Sequence, residues 1–281
     1  MRIYPVQNYN FNYKKPQPSF GAWSREVYVK DENNVSKLSH RNETEFFRNS
    51  YVWDILPQLL EEKYANVDKV NVYCYGCSDG SEAYSFAMKV LDHDKDFAKK
   101  FFPIKAYDFD EVAIAKAKRG EYEITPLEMT RISMCLKKSR PEDYFEYDDS
   151  KYVYYRGYSP VNSTQYQLIE AKLKNNLANT VEFETGDILK DCKNIKKDNS
   201  IILARNFWPY VETEQRKQFF TDLHNHLGEN NLLIIGLYDF NGDDCAPMLI
   251  QNAGFNLISN KHVGIFEKSD KKTNKIIDLR I

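Results

Sequence analysis

Apolar positions along the chain change their period in an order that outlines a sheet wrapped by helices. Val70, Val72 and Cys74 alternate with polar or aromatic neighbours, the period of a short buried strand. Gly76-Cys77-Ser78-Asp79-Gly80 interrupts it, and Ala83, Ala87 and Leu91 then recur at helical spacing with Tyr84 and Val90 beside them. Strand, glycine loop and helix in this order set a loop and a helix start at the carboxyl edge of a sheet, where α/β proteins bind ligands. Ile104, Ala106 and Asp108 predict a second strand ending in an acid, followed by a lysine-rich helix, Glu111–Arg119, with Gly120 as its stop. Beyond it, 181–184 and the apolar Ser200–Ala204 read as strands, and 212–227 as a helix with Phe219, Phe220, Leu223 and Leu227 on one face. A strand over 232–237, a short helix over 248–253 and a closing hairpin, 255–258 with 263–267, complete an α/β doubly wound sheet.

The segments outside this pattern are less regular. Residues 1–40 are polar and rich in Pro and Asn, and predict a flexible N-terminal arm, with Phe20, Trp23 and Val27 the candidates for a short docked element. Over 41–66 a helical segment is expected: Asn42 can cap it, Glu45 lies three residues on, and Pro57 starts a second helical piece through Leu59, Leu60 and Tyr64. Residues 126–180 carry a cluster of tyrosines and read as a small inserted subdomain, with a strand over 151–158, a turn over 159–162, and either helix or strand over 165–176. The main domain is then 67–125 with 181–268, and 269–281 is a charged tail.

Composition narrows the class. With 281 residues, 42% apolar and 28% charged, the chain has the make-up of a globular protein. A net charge of −2 gives no reason to expect nucleic acid. No apolar run reaches the roughly 18 residues of a membrane span, and the first residues lack the apolar core of a signal peptide. Cys74 and Cys77 form a CxxC with no second pair at zinc spacing, so no metal is expected and both read as buried small residues. Five cysteines without a signal peptide fit a reducing cytoplasm.

Three charged residues carry the candidate chemistry. Glu82 falls in the first turn of its helix, where the dipole favours a carboxylate that can hold an ammonium group; an ordinary helix-start Glu is the plainer alternative. Arg48 is expected to point at a bound anion, against the alternative of a plain amphipathic pair covering the sheet. Asp108 closes a strand where an acid can take both ribose hydroxyls, with a helix cap as alternative, and Asp110 suits the helix start better. Loop and Asp108 together favour a nucleoside site. A nicotinamide enzyme would show GxGxxG and an acid nearer the loop, which GCSDG fits poorly.

Four blocks, in order, resemble one family. GCSDGSEAYSFAM is similar to the GCSTGEEPYSLAM block of CheR-type chemotaxis-receptor methyltransferases. AYDFDEVAIAKAKRGEY resembles their ATDID…LEKARxGxY block, NETEFFR their NxTxFFR block, and LARNFWPYVETEQRKQFFTDLHNHL their FCRNVxIYF helix. The resemblance implies a class I methyltransferase (Rossmann-like) sheet and S-adenosyl-L-methionine as methyl donor, with S-adenosyl-L-homocysteine as product. By the same resemblance Asn42, Thr44, Arg48, Gly76, Glu82, Asp108, Asp187, Ile188, Arg205 and Asn206 contact that donor: Glu82 its ammonium, Arg48 its carboxylate, Asp108 its ribose, Asp187 and Ile188 its adenine. Arg205 and Tyr210 are the implied catalytic pair, orienting the acceptor. The implied partner is a protein glutamate, in the cytoplasmic region of a chemoreceptor, with no membrane insertion. A glutamate is ionised at neutral pH and needs no strong base. Two departures bear on the acceptor. The family carries a helical domain ahead of NxTxFFR, where only residues 1–41 stand here, and Trp208-Pro209 replaces two aliphatic residues beside Tyr210. A methyltransferase for another acceptor, or a protein that binds the donor without catalysis, stays open on this reading.

Overall fold

The computed structural model describes residues 25–30, 36–41, 44–49, 51–158, 163–241, 244–258 and 264–268. Asn42, the arm over 1–20, Phe20, Trp23, the turn over 159–162, Val263 and the tail over 269–281 lie outside the described residues. The chain begins with an antiparallel hairpin, β1 (Arg25–Lys30) and β2 (Ser36–Arg41). This corrects the irregular arm expected for 25–40; Val27 and Val29 alternating with Glu26, Tyr28 and Lys30 carry the strand period inside a polar stretch.

Helix α1 (Tyr51–Tyr64) runs through Pro57 without a break, where the sequence predicts two pieces. An internal proline costs about 3 kcal/mol. Val52, Trp53, Leu56, Leu60 and Tyr64 are nevertheless at most 1% exposed, and their burial along one face outweighs that cost.

Next come β3 (Asn71–Tyr75), α2 (Ser81–His93), α3 (Lys95–Ala98), β4 (Ile104–Asp108) and α4 (Glu111–Arg119). Asp110 caps α4 by accepting from the amides of Val112 and Ala113, and Gly120, at φ +63°, closes it, both as the sequence predicts. The chain continues with β5 (Glu121–Ile124), α5 (Pro126–Cys135), β6 (Phe145–Tyr158), β7 (Ser163–Leu173) and α6 (Asn175–Ala178). The open question over 165–176 resolves as strand through Leu173. Last are β8 (Val181–Thr185), α7 (Ile188–Asp191), β9 (Ser200–Ala204), α8 (Thr213–His226), β10 (Leu232–Ile234), α9 (Ala246–Asn252), β11 (Phe255–Leu257) and β12 (Ile265–Lys268).

Among the described residues these strands form two sheets. The larger has seven strands in the order β11-β12-β10-β9-β3-β4-β8. From β10 to β8 every pair is parallel, and β12 with β11 closes the edge antiparallel, the hairpin foreseen from sequence. The chain steps outward from β3 to β4 and β8, then returns to β9 on the other side of β3. That reversal is the switch point at which doubly wound sheets hold ligands. Strand alternation divides the core by face. Val72, Cys74, Ile201 and Leu203 join Trp53, Leu56 and Phe86 in one cluster. Tyr73, Tyr75, Ile202 and Ala204 join Phe219, Phe220, Leu223 and Ile250 in the other. The smaller sheet, ordered β2-β1-β6-β7-β5, recruits β5 from ahead of Pro126 as well as the first hairpin. Its Phe145, Ile169 and Leu173 pack into the same cluster as Val72. No helix among the described residues is long and apolar enough to cross a membrane.

Candidate active site

The loop after β3 and the end of β4 are tied to one another. Ser78, at φ +51°, donates its amide to Asp108 Oδ2 (2.8 Å), and Asp110 donates its amide to Asp108 Oδ1 (3.0 Å). Burial pushes the Asp108 carboxyl above its ordinary range; the amides of Asp110 and Ser78 oppose that shift. The Asp108 carbonyl accepts from Gly186 N at 3.0 Å, which brings the segment after β8 alongside. The two loop glycines stand where a side chain would have no room. A Cβ on Gly76, at φ +65°, would meet the Phe207 ring at 2.9 Å, and one on Gly80, at φ +88°, would meet Phe183 at 2.7 Å. The protein's own aromatic rings occupy that space.

Glu82 and Arg205 meet across the switch point. Arg205 Nη1 donates to Glu82 Oε2 at 2.9 Å, with the arginine side chain wholly buried and the glutamate 14% exposed. Nη2 of Arg205 donates to the Arg48 carbonyl (2.9 Å) and to Asn49 Oδ1 (3.3 Å), and the guanidinium lies 5.0 Å from the centre of the Trp53 indole. Burial raises the Glu82 carboxyl despite the opposing charges of Arg205 and Arg48. The sequence resemblance sets Arg205 against either the acceptor or the donor; its guanidinium, with no exposed surface, contacts Glu82 and the 48–49 turn. The expectation of Arg48 within a helix is also corrected. Arg48 stands in the turn ahead of α1, its carbonyl shared by Arg205 and by Trp53 Nε1 (3.1 Å).

The 44–49 segment is held from a distance. Phe46 N donates to Glu128 Oε1 (2.7 Å), Phe47 N donates to Ser85 Oγ (2.8 Å), and Arg131 pairs with Glu45. Phe47 and Asn49 take positive φ, 52° and 58°, and Thr44 is half-buried at the start of the segment. Burial is the largest cause lifting the Glu128 carboxyl from 4.5 to about 7. Its neutral form therefore favours the fold: that stability is fully present below about pH 4.5 and is lost as pH rises through about 7, roughly 3 kcal/mol between the limits. Glu128→Gln keeps an oxygen for Phe46 and removes the buried charge. Calorimetry is expected to show the variant unfolding several degrees higher than wild type at pH 8, with the gap closing by pH 5.

Past β9, Asn206 sits at φ +65° and its Oδ1 accepts from Tyr238 N at 3.3 Å. Tyr210, 50% exposed, lies beside Tyr238, 40% exposed, with ring centres 5.8 Å apart and planes inclined at 31°. Asp187 spends its carboxylate on α7, accepting from Leu189 N (3.0 Å) with Lys190 Nζ at 3.2 Å, and Ile188 is buried in the core. Sequence reasoning missed Asn49, Trp53, Glu128, Tyr238 and Asp239, each of which acts through partners remote in the chain. Cys74 and Cys77 are free and buried, with thiols pushed well up by burial. Among the described residues no group of His, Cys, Asp and Glu is arranged to hold a metal.

S-adenosylmethionine carries an ammonium, a carboxylate and a ribose, and one buried polar atom beside Asp108 fits such a ligand. Ser78 Oγ, in the loop after β3, lacks a hydrogen-bond partner among the described residues. Carboxylates stand at Asp108 and, across the switch point, at Glu82. With its doubly wound sheet, this is a class I S-adenosylmethionine-dependent methyltransferase. The description "CheR methyltransferase, SAM binding domain" matches residues 42–240, and the chain belongs to the CheR methyltransferase family. It is similar to a chemotaxis protein methyltransferase of Listeria monocytogenes, 26% identical over 236 residues, which are 81% of this chain and 77% of that protein. One from Borreliella burgdorferi is 24% identical over 210 residues, 72% of this chain and 65% of the other. A probable chemotaxis protein methyltransferase of Rhizobium etli is 34% identical over 104 residues, 34% of this chain and 38% of the other. Among solved structures, a TehB-like SAM-dependent methyltransferase from Corynebacterium glutamicum superposes with a TM-score of 0.37 at 11% identity, over 76% of this chain and 86% of that one.

Proposed function

We propose that this methyltransferase esterifies glutamate side chains of a protein, in the cytoplasmic region of a chemoreceptor, and that it works in the cytoplasm. The supporting observation is the Glu82–Arg205 pair at the switch point, with Asp108 closing the adjacent strand. In this reading Glu82 takes the donor's ammonium, Arg48 its carboxylate and Asp108 its ribose hydroxyls. Thr44, Ser78, Asn206 and the 186–188 segment line the remainder, and Asn42 belongs with them by sequence. Arg205 is a positioning residue: its charge favours the ionised form of Glu82 against burial, and it fixes the 48–49 turn. S-adenosylmethionine, when bound, supplies an electrophilic methyl on its sulfonium. The acceptor glutamate arrives ionised at neutral pH, so no side chain of this chain has to remove a proton. What the protein contributes is alignment. Tyr210, half-exposed beside Asn206, is placed to orient the acceptor. The relatives' description as chemotaxis protein methyltransferases supports the choice of acceptor.

Incubation with methyl-labelled donor and a chemoreceptor cytoplasmic fragment tests the reading. Label is expected on the fragment and is expected to leave as methanol on mild base treatment. Protein that binds S-adenosylhomocysteine yet leaves the fragment unlabelled would remove the chemoreceptor acceptor.

A further inference from the structure

Donor binding leaves Asp239 unexplained. This aspartate, 0% exposed, sits in the turn that follows β10. Its Oδ2 accepts from Asn206 N (2.7 Å) and Gly236 N (2.8 Å), and its Oδ1 from Trp208 N (3.1 Å). One carboxylate thereby joins amides from the segment after β9 and the segment after β10. Burial lifts its carboxyl from 3.8 to about 6, so an ionised group here is costly, and the three amides and the charge of Arg205 oppose that cost. The joint is also close-packed. A Cβ on Gly236 would fall 2.1 Å from Asn206 Oδ1, so residue 236 has no room for a side chain. On the outer side of this joint stand Tyr210, carried by the first segment, and Tyr238, carried by the second.

Two segments leaving separate strands would otherwise shift independently. Methyl transfer tolerates little of that, because a misplacement of about 1 Å at a reacting centre can cost roughly a hundredfold in rate. We propose that Asp239 is a positioning residue that locks segments 206–210 and 236–240 into one body, and that Tyr238 forms, with Tyr210, the wall against which the methyl acceptor rests. This rests on the reading of Tyr210 as the acceptor's contact.

Hydrogen exchange read by mass spectrometry tests the lock without substrate. Asp239→Asn preserves size but turns a donor toward at least one of the three amides. Both segments are expected to exchange about tenfold faster together, with β3 and α8 unchanged. With the receptor fragment as acceptor, kcat/KM for the fragment is expected to fall about thirtyfold, while the KM for S-adenosylmethionine, which Asn206 also touches in the proposed donor site, rises by no more than about fivefold. Asp239→Glu, which keeps the carboxylate, is expected to recover part of the loss. Tyr238→Ala leaves the carboxylate and its amides in place, so it serves if Asp239→Asn fails to fold: its exchange is expected to match wild type while the fragment's KM rises. Exchange unchanged in Asp239→Asn, one segment loosening alone, equal losses for donor and acceptor, or Tyr238→Ala with wild-type acceptor kinetics would each overturn the proposal. Failure of wild-type protein to bind S-adenosylhomocysteine would instead count against the donor site, and the exchange result would still judge the lock.

Discussion

Arg205→Met is expected to lower the affinity for S-adenosylhomocysteine by more than about a hundredfold and to lower the unfolding temperature by about 10 °C. The arginine is wholly buried, and its Nη atoms serve Glu82, the Arg48 carbonyl and Asn49. Removing one member of a buried pair leaves the other uncompensated, which costs about 3–5 kcal/mol. Burial already raises the Glu82 carboxyl with Arg205 present. Without that charge burial acts on Glu82 with only Arg48 opposing it among the charges named, so its ionised form is less favoured and holds an ammonium less well. Adding Glu82→Gln to the variant is therefore expected to restore much of the stability and none of the binding. Denaturation and calorimetric titration of the single and double variants separate the two effects. A single variant with wild-type affinity would dismiss Glu82 and Arg205 as a donor site.

Asp108→Ala is the second large effect. Its carboxylate fixes Ser78 N and Asp110 N, so the truncation releases the loop after β3 and removes the proposed ribose contact at once. Leaving two amides without an acceptor costs about 1–3 kcal/mol each, and affinity for S-adenosylhomocysteine is expected to fall at least a hundredfold. Asp108→Asn keeps one acceptor and should fall between. Burial raises the Asp108 carboxyl, and only its ionised form accepts from both hydroxyls. Affinity is accordingly expected to be full above that raised value and to decline as pH falls through it, with Asp108→Asn removing that component. Titration downward from pH 8 reads this directly; an Asp108→Asn profile parallel to wild type would assign the decline elsewhere.

Local periodicity made the large sheet legible. β3, β4 and β9 each alternate or run apolar over a few residues, and Gly120 marks the end of α4 without help from the tertiary structure. Glu82 and Arg205 could each be singled out, but not their pairing, since 123 residues separate them. Pro57 misled because the rule against internal proline is local, whereas the burial of Trp53 and Leu60 that overrides it is not. Arg48 was displaced from its expected helix by anchors at Ser85 and Glu128, 38 and 82 positions from the phenylalanines they hold. Asp239 carries no motif: its meaning lies in amides 31 and 33 residues away. The loop glycines read correctly as special positions, while the Phe207 and Phe183 rings that need the room could only be seen in three dimensions.

Trp53 beneath the Arg205 guanidinium, and Trp208 with its amide on Asp239, place two sheltered indoles in the clusters on opposite faces of the sheet, next to residues of the proposed donor site. An indole's fluorescence responds to the charges around it, and a ligand bearing an ammonium and a sulfonium changes those charges. With the donor in the proposed site the enzyme would contain its own optical gauge of occupancy, and replacing each of its three tryptophans, Trp23 included, by phenylalanine would tell which indole the signal comes from.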